Sequence, residues 1–176
     1  MKKLFFAAAI AVFGFTTVNA QDDAQNGSAL SKGSWVIEAN TGFGASSAAN
    51  TNFNLTSQDG TTTWGLGGEV GYFVADDLAV KVGLGYNDLD YTSSFSYKVG
   101  AKYYVSSIIP VQIDLAGASI KDFDENPLWL GIQGGYAIFV ADNISIEPGL
   151  RYNLSLNEDY TDEGVLQFNV GFALHF

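Results

Sequence analysis

What most restricts this chain is a period-two alternation that recurs eight times after residue 34. It is sharpest at the C-terminus, where Leu166, Phe168, Val170, Phe172, Leu174 and Phe176 alternate with Gln167, Asn169, Gly171, Ala173 and His175. Successive side chains of a strand point to opposite faces, so this segment has one apolar face and one polar or small face. Ile144, Ile146, Pro148, Leu150, Tyr152 and Leu154 form the apolar face of the segment before it, and Leu130, Ile132, Gly134, Tyr136, Ile138 and Val140 that of the one before that. Upstream the series runs through Val111, Ile113 and Leu115, through Phe95 to Val105, through Leu78 to Tyr86 and through Trp64 to Tyr72. The first segment, Trp35 to Phe43, is the weakest. Little of the chain repeats every 3.6 residues.

The connections alternate as well. Ala75-Asp76-Asp77, Ser106-Ser107 and Ala141-Asp142-Asn143 read as tight turns, whereas residues 44–62, 87–93, 117–127 and 155–164 are longer and polar. Short turns at one end and long loops at the other are the pattern of membrane barrels. The expected fold is therefore all-β, an eight-stranded antiparallel up-and-down transmembrane β-barrel over residues 34–176, with the turns periplasmic and the loops outward. Residues 71–87 and 135–153 also echo each other around FVADD and FVADN. Hairpin grammar alone accounts for that.

Alternation does not say which face is outside, because a soluble barrel buries its apolar face. Two features decide for the inverted sense. The polar face is rich in glycine (Gly65, Gly67, Gly71, Gly83, Gly85, Gly100, Gly131, Gly149 and Gly171 among them), and glycine weakens a strand unless space is short. The charges of that face also balance. Glu38, Glu69, Asp114 and Glu147 stand against Lys81, Lys98, Lys102 and Arg151, while the whole chain carries a net charge of −11. A lumen must pair its charges, and a solvated exterior need not. These eight residues are the expected lumenal ion-pair network. Tyr72, Tyr103 and Tyr136 near the turns, and Trp64, Tyr86, Phe95 and Tyr152 near the loops, read as two aromatic girdles.

The N-terminus carries a targeting pattern. Lys2 and Lys3 precede an apolar run to Val18, and Val18-Asn19-Ala20 offers small residues at a cleavage site. The expected division is a signal peptide over 1–20, a polar tail over 21–33 and the barrel over 34–176. No later apolar run is long enough for a membrane-spanning helix. Charged residues are only 15% of the chain, well below the quarter usual in soluble domains. Strong acidity argues against nucleic-acid binding. The absence of cysteine excludes thiolate metal sites and disulfides.

The leader, the eight amphipathic segments, the turn sequence FVADDLAV and the terminal Leu174-His175-Phe176 resemble the small outer-membrane β-barrel proteins of Gram-negative bacteria. The OmpX and OmpA-barrel group is nearest in strand number. The resemblance implies integral residence in the outer membrane, contact with its lipid and lipopolysaccharide, and Phe176 as the signal read by the barrel assembly machinery. It does not imply a role, because these barrels share a grammar more than a function.

Candidate chemistry is sparse. His175 is the one histidine, and its place next to the C-terminus reads as a rim residue of the turn end rather than a catalytic base. Asp122-Phe123-Asp124-Glu125 starts at the ligand spacing of an EF-hand loop, but Pro127 stands where glycine is required. Asp122, Asp124 and Glu125 are left as candidate ligands of divalent cations, and no resident metal or cofactor is expected. The leading reading is a non-enzymatic structural or surface-display barrel, plugged by ion pairs and carrying acidic extracellular loops. The alternative is a narrow channel or small-solute transporter, similar to the OmpW-like branch, passing solute by Glu147 and Arg151.

Overall fold

The pleated alternation becomes ten antiparallel strand segments in the computed structural model, which describes residues 29–43, 53–58, 61–88 and 90–176. They are β1 (Trp35–Phe43), β2 (Phe53–Gln58), β3 (Thr61–Ala75), β4 (Leu78–Asp88), β5 (Ser93–Val105), β6 (Ile109–Ile120), β7 (Leu128–Gly135), β8 (Ile138–Ala141), β9 (Ile144–Ser155) and β10 (Val165–His175). The expected signal peptide, residues 21–28 and much of the expected loop 44–62, Asp59 included, lie outside the described residues.

β1 pairs with both β10 and β3, which closes the sheet into an eight-stranded barrel. Two segments exceed the eight expected, for different reasons. β7 and β8 are one wall strand. They hold a single register against β9, Gly135 opposite Gly149 and Ile138 opposite Ile146. Between them the ladder meets Pro148, which has no N–H to give. The Pro148 carbonyl still accepts from Tyr136 N at 3.0 Å, and Ala137 N donates to Ile108 O at 2.7 Å. β2 instead lies inside the expected loop 44–62. It pairs with the loop end of β3, from Phe53 opposite Leu66 to Gln58 opposite Thr61, so β3 exchanges β1 for β2 as its partner above Glu69. The other long connections are shorter than expected, because the ladders run on through Asp88–Ser93 and Ser94–Ile120.

The register fixes the barrel's size. A path of opposed residues from Val36 through Gly71, Lys81, Gly100, Asp114, Gly131 and Asn153 arrives at Val165. Val36 itself opposes His175, ten residues further along β10. Eight strands with that stagger are tilted by roughly 40° and enclose a space that side chains fill.

The sense is apolar outward. On β4, Val80, Val82 and Leu84 are 46%, 55% and 59% exposed, while Ala79, Lys81, Gly83 and Gly85 between them are buried. Aromatics bound the aliphatic band at both ends. The rings of Trp35 and Tyr72 meet at a tilt 5.0 Å apart near the turns, and those of Trp64 and Tyr86 at 5.4 Å near the loops.

At the turn end, residues 29–34 lie against the barrel mouth. Leu30 is buried with Val36, Phe73, Ala79, Tyr104, Ala137 and Ala173. Asp77 N donates to Leu30 O at 2.8 Å, Lys32 N to Asp76 Oδ1 at 2.8 Å and Gly33 N to Phe73 O at 2.9 Å. Gly33 takes φ +95°, a backbone conformation open to glycine at no steric cost. The echoed sequences share one local geometry. The ladder slips between Phe73 and Ala75 and again between Phe139 and Ala141. In each turn a carbonyl, Asp77 O or Asn143 O, accepts at 2.8 Å from the next strand, from Tyr104 N or His175 N respectively.

Candidate functional site

The lumen is built by placing long charged side chains opposite glycine or alanine. Lys81 opposes Gly71 and Gly100, Asp114 opposes Gly100 and Gly131, and Lys98 opposes Gly83. The glycines are required by space. A Cβ on Gly131 would run into the Arg151 guanidinium, and one on Gly71 would lie 2.9 Å from Lys81 Cγ.

The structure brings all eight lumenal charges together, none more than 7% exposed. Lys98 Nζ meets Glu69 Oε1 at 2.8 Å, and Lys81 Nζ lies 2.9 Å from Glu69 Oε2 and 2.7 Å from Glu38 Oε2. Lys102 joins Glu38, at 2.7 Å, to Glu147. A second arm leaves Lys81, which donates to Gln112 Oε1 at 3.0 Å, and Gln112 Nε2 donates to Asp114 Oδ2 at 2.7 Å. Asp114 receives Arg151 through both of its oxygens, at 2.6 and 2.7 Å. Arg151 Nε reaches Asn153 Oδ1 at 2.7 Å, and Asn153 Nδ2 reaches Gln167 Oε1 at 2.7 Å.

One relationship in this network looks unfavourable in isolation. Glu38 and Glu69 stand directly opposite on β1 and β3, where like charges repel. Lys81 bridges the two, and Asn40 Nδ2 donates to Glu38 Oε1 at 2.7 Å and to Glu69 Oε1 at 3.1 Å. The acidic pair is thereby held between cation and amide.

His175 corrects the rim expectation. It is 1% exposed, because β10 runs to the turn end and its ring packs 5.6 Å from Phe139 and 6.2 Å from Phe73. Its Nε2 lies 3.1 Å from Ser145 Oγ, and Ser145 Oγ and Tyr104 OH both donate to Glu147 Oε1 at 2.9 Å. A serine, a histidine and a carboxylate thus adjoin, but not in the order of a triad. There the acid orients the second ring nitrogen of the histidine, whereas Glu147 engages the serine and tyrosine hydroxyls. Ser145 is fully buried. The group ties the network to the apolar floor.

At the other end Trp129 is 1% exposed, and Tyr160 meets it edge-on at 6.4 Å. Three loops are stitched together above it. Lys121 N donates to Ser93 O at 2.8 Å, Thr92 Oγ1 to Lys121 O at 2.9 Å and Asn157 Nδ2 to Asn126 O at 2.9 Å. Asp122, Asp124 and Glu125 are exposed on the middle loop, and Glu125 Oε2 accepts from Asn157 at 3.4 Å. Among the described residues, no group of three metal-ligating side chains is placed to hold an ion. Phe176 is 54% exposed on the outer face and exchanges backbone hydrogen bonds of 2.7 and 2.9 Å with Trp35, so it closes the barrel seam.

Sequence reasoning singled out the charges but not their neutral partners. Asn40, Tyr104, Gln112 and Ser145 complete the hydrogen bonding, and Phe73 and Trp129 fill the two ends of the lumen. Each keeps the period-two phase of a charged or glycine neighbour, Tyr104 two after Lys102 and Phe73 two after Gly71. That phase was the available signal.

A closed eight-stranded barrel with an aliphatic belt, two aromatic girdles and an ion-paired interior defines a small outer-membrane-type β-barrel. A solved structure agrees on the fold, and others are similar to a lesser degree. The N-terminal β-barrel domain of OprF from Pseudomonas aeruginosa matches with a TM-score of 0.50 at 17% identity, covering 82% of this chain and 98% of that domain. The outer membrane protein OprG of the same organism gives 0.49 at 12% identity, covering 83% and 97%. Neisserial surface protein A gives 0.48 at 17% identity, covering 82% and 98%. No protein-family model and no curated protein matches the sequence.

Proposed function

We propose that this chain is a non-enzymatic integral protein of a bacterial outer membrane, a plugged barrel whose work is done by its outer loops. In this reading the leader is removed near Ala20 and the turns face the periplasm. The loops stand among lipopolysaccharide, and Phe176 serves the assembly machinery. The observation that carries it is the filled lumen. Four acids and four bases are paired from wall to wall, and one partner left alone there would cost about 3–5 kcal/mol. A channel would have to part such pairs along the whole path, including Lys102–Glu147 and Arg151–Asp114. What stays free to act is the loop surface, as is usual where a rigid scaffold carries function on its connections.

The test is to replace residues 121–127 and 156–164 by short glycine–serine turns. The trimmed protein is expected to refold with the heat-modifiable gel mobility of the parent and to lose every surface phenotype of cells carrying the parent. Retention of such a phenotype by the trimmed barrel would remove the loops from the function.

A further inference from the structure

The three stitched loops share a pattern that the barrel does not need. Each sets an aromatic residue beside carboxylates, Asp90-Tyr91, Asp122-Phe123-Asp124 and Asp159-Tyr160. Tyr160 is accounted for by its place over Trp129. Tyr91 and Phe123 are not. They are 83% and 56% exposed and sit on adjacent loops that the Thr92–Lys121 and Ser93–Lys121 hydrogen bonds hold together. They are not part of the membrane girdle either. Asp88, on the ladder opposite Trp64, marks the girdle level; Tyr91 lies beyond it next to Asp90, and Phe123 lies between Asp122 and Asp124, ionised neighbours that hydrocarbon excludes.

The charge around them has one sign. Beyond Asp88 at the end of β4, the described parts of these loops carry Asp90, Asp122, Asp124, Glu125, Glu158, Asp159, Asp162 and Glu163 against the single base Lys121. Exposed aromatic faces amid carboxylates offer a guanidinium or ammonium two attractions at once, ring quadrupole and Coulomb field. An anionic lipid headgroup or nucleic acid would be repelled. We propose that Tyr91 and Phe123, framed by Asp90, Asp122 and Asp124, form a docking surface for an arginine- or lysine-bearing segment of a partner polypeptide. The inference rests on the reading that the loops face outward and act.

The experiment uses the full barrel in nanodiscs of zwitterionic phosphatidylcholine, with a fluorescein-labelled oligoarginine peptide followed by anisotropy. Saturable, salt-sensitive binding is expected, with none for an oligoglutamate peptide. Tyr91→Ala with Phe123→Ala, which leaves every carboxylate in place, is expected to weaken binding roughly tenfold, and Tyr91→Phe to leave it intact. Both side chains are exposed, and unchanged heat-modifiable mobility verifies that the variants fold. Absence of saturable binding overturns the proposal, and so does binding indifferent to the aromatic pair, which would reveal only a diffuse acidic field. Displacement of the peptide by submillimolar Ca²⁺ also overturns it, in favour of divalent cations. The underlying reading fails separately, because a barrel that binds the peptide yet conducts ions is not plugged.

Discussion

Arg151 and Asp114 form a parallel two-bond pair, Nη1 to Oδ2 at 2.7 Å and Nη2 to Oδ1 at 2.6 Å, although their strands β9 and β6 are not neighbours. The pair passes over β7 at Gly131, the residue whose missing side chain leaves room for the guanidinium. Planar two-bond recognition of a carboxylate is what arginine does and lysine cannot. The wall and the lumen are therefore one design, with the backbone left bare where a cation must cross it.

Breaking that pair from one side is expected to be costly. Asp114→Asn leaves a buried guanidinium without its counter-charge and should lower stability by about 3–5 kcal/mol. The double variant Asp114→Leu with Arg151→Met removes both charges and should recover most of the loss. Gly131→Ala changes no charge and should destabilise in the same direction through steric displacement of Arg151. Urea unfolding of the refolded protein in lipid vesicles measures all three. Equal stability of Asp114→Asn and the parent would mean that the pair carries nothing.

The inverted sense of the barrel is tested on one strand. Val82, 55% exposed midway along β4, should cost about 2–4 kcal/mol when changed to Lys, as a cation facing lipid near the bilayer midplane does. In a water-soluble barrel the same change would be near neutral. Vesicle refolding of Val82→Lys against the parent decides between them.

The floor at the turn end should behave as a small apolar core. Leu30→Ala is expected to destabilise by about 2–4 kcal/mol, although the residue precedes the first strand. A cost below about 0.5 kcal/mol, the range of ordinary surface changes, would mean that residues 29–34 do not pack there.

His175→Phe separates structure from chemistry. The ring lies among Phe73, Tyr104 and Phe139, so an aromatic replacement keeps that packing and loses only the bond to Ser145. The variant should refold, and the surface phenotype of the parent should survive. Loss of that phenotype in a fully folded His175→Phe protein would return the Ser145–His175–Glu147 group to consideration as a reactive site.

How much of this was legible in the chain differs by element. The wall strands were, because outward Val80, Val82 and Leu84 against inward Lys81 and Gly83 is a two-residue code that one sequence displays in full. The eight charges were legible from the same code. Their wiring was not. Arg151 reaches Asp114 only because the register staggers the barrel by ten residues, and stagger is a property of the closed ladder rather than of any strand. The break at Tyr136 and Ala137 comes from Pro148 on another strand, so local alternation read straight through it. β2 was hidden for a third reason. Phe53 to Gln58 alternates only through Phe53 and Leu55 before Ser57 ends the apolar face, and two apolar positions within a Ser/Thr/Asn-rich stretch are too few to advertise a strand. His175 was misplaced because closeness to the C-terminus suggested a rim, while the burial comes from Phe73, Tyr104 and Phe139 around the ring and Ser145 at its Nε2.

The most direct measurement is single-channel conductance of the refolded protein in a planar bilayer. Electrical silence across a wide voltage range is expected of the parent, because the lumenal charges are paired from wall to wall. Reproducible conductance steps, altered by Glu147→Gln or Arg151→Gln, would contradict the plugged barrel and make those residues the lining of a path.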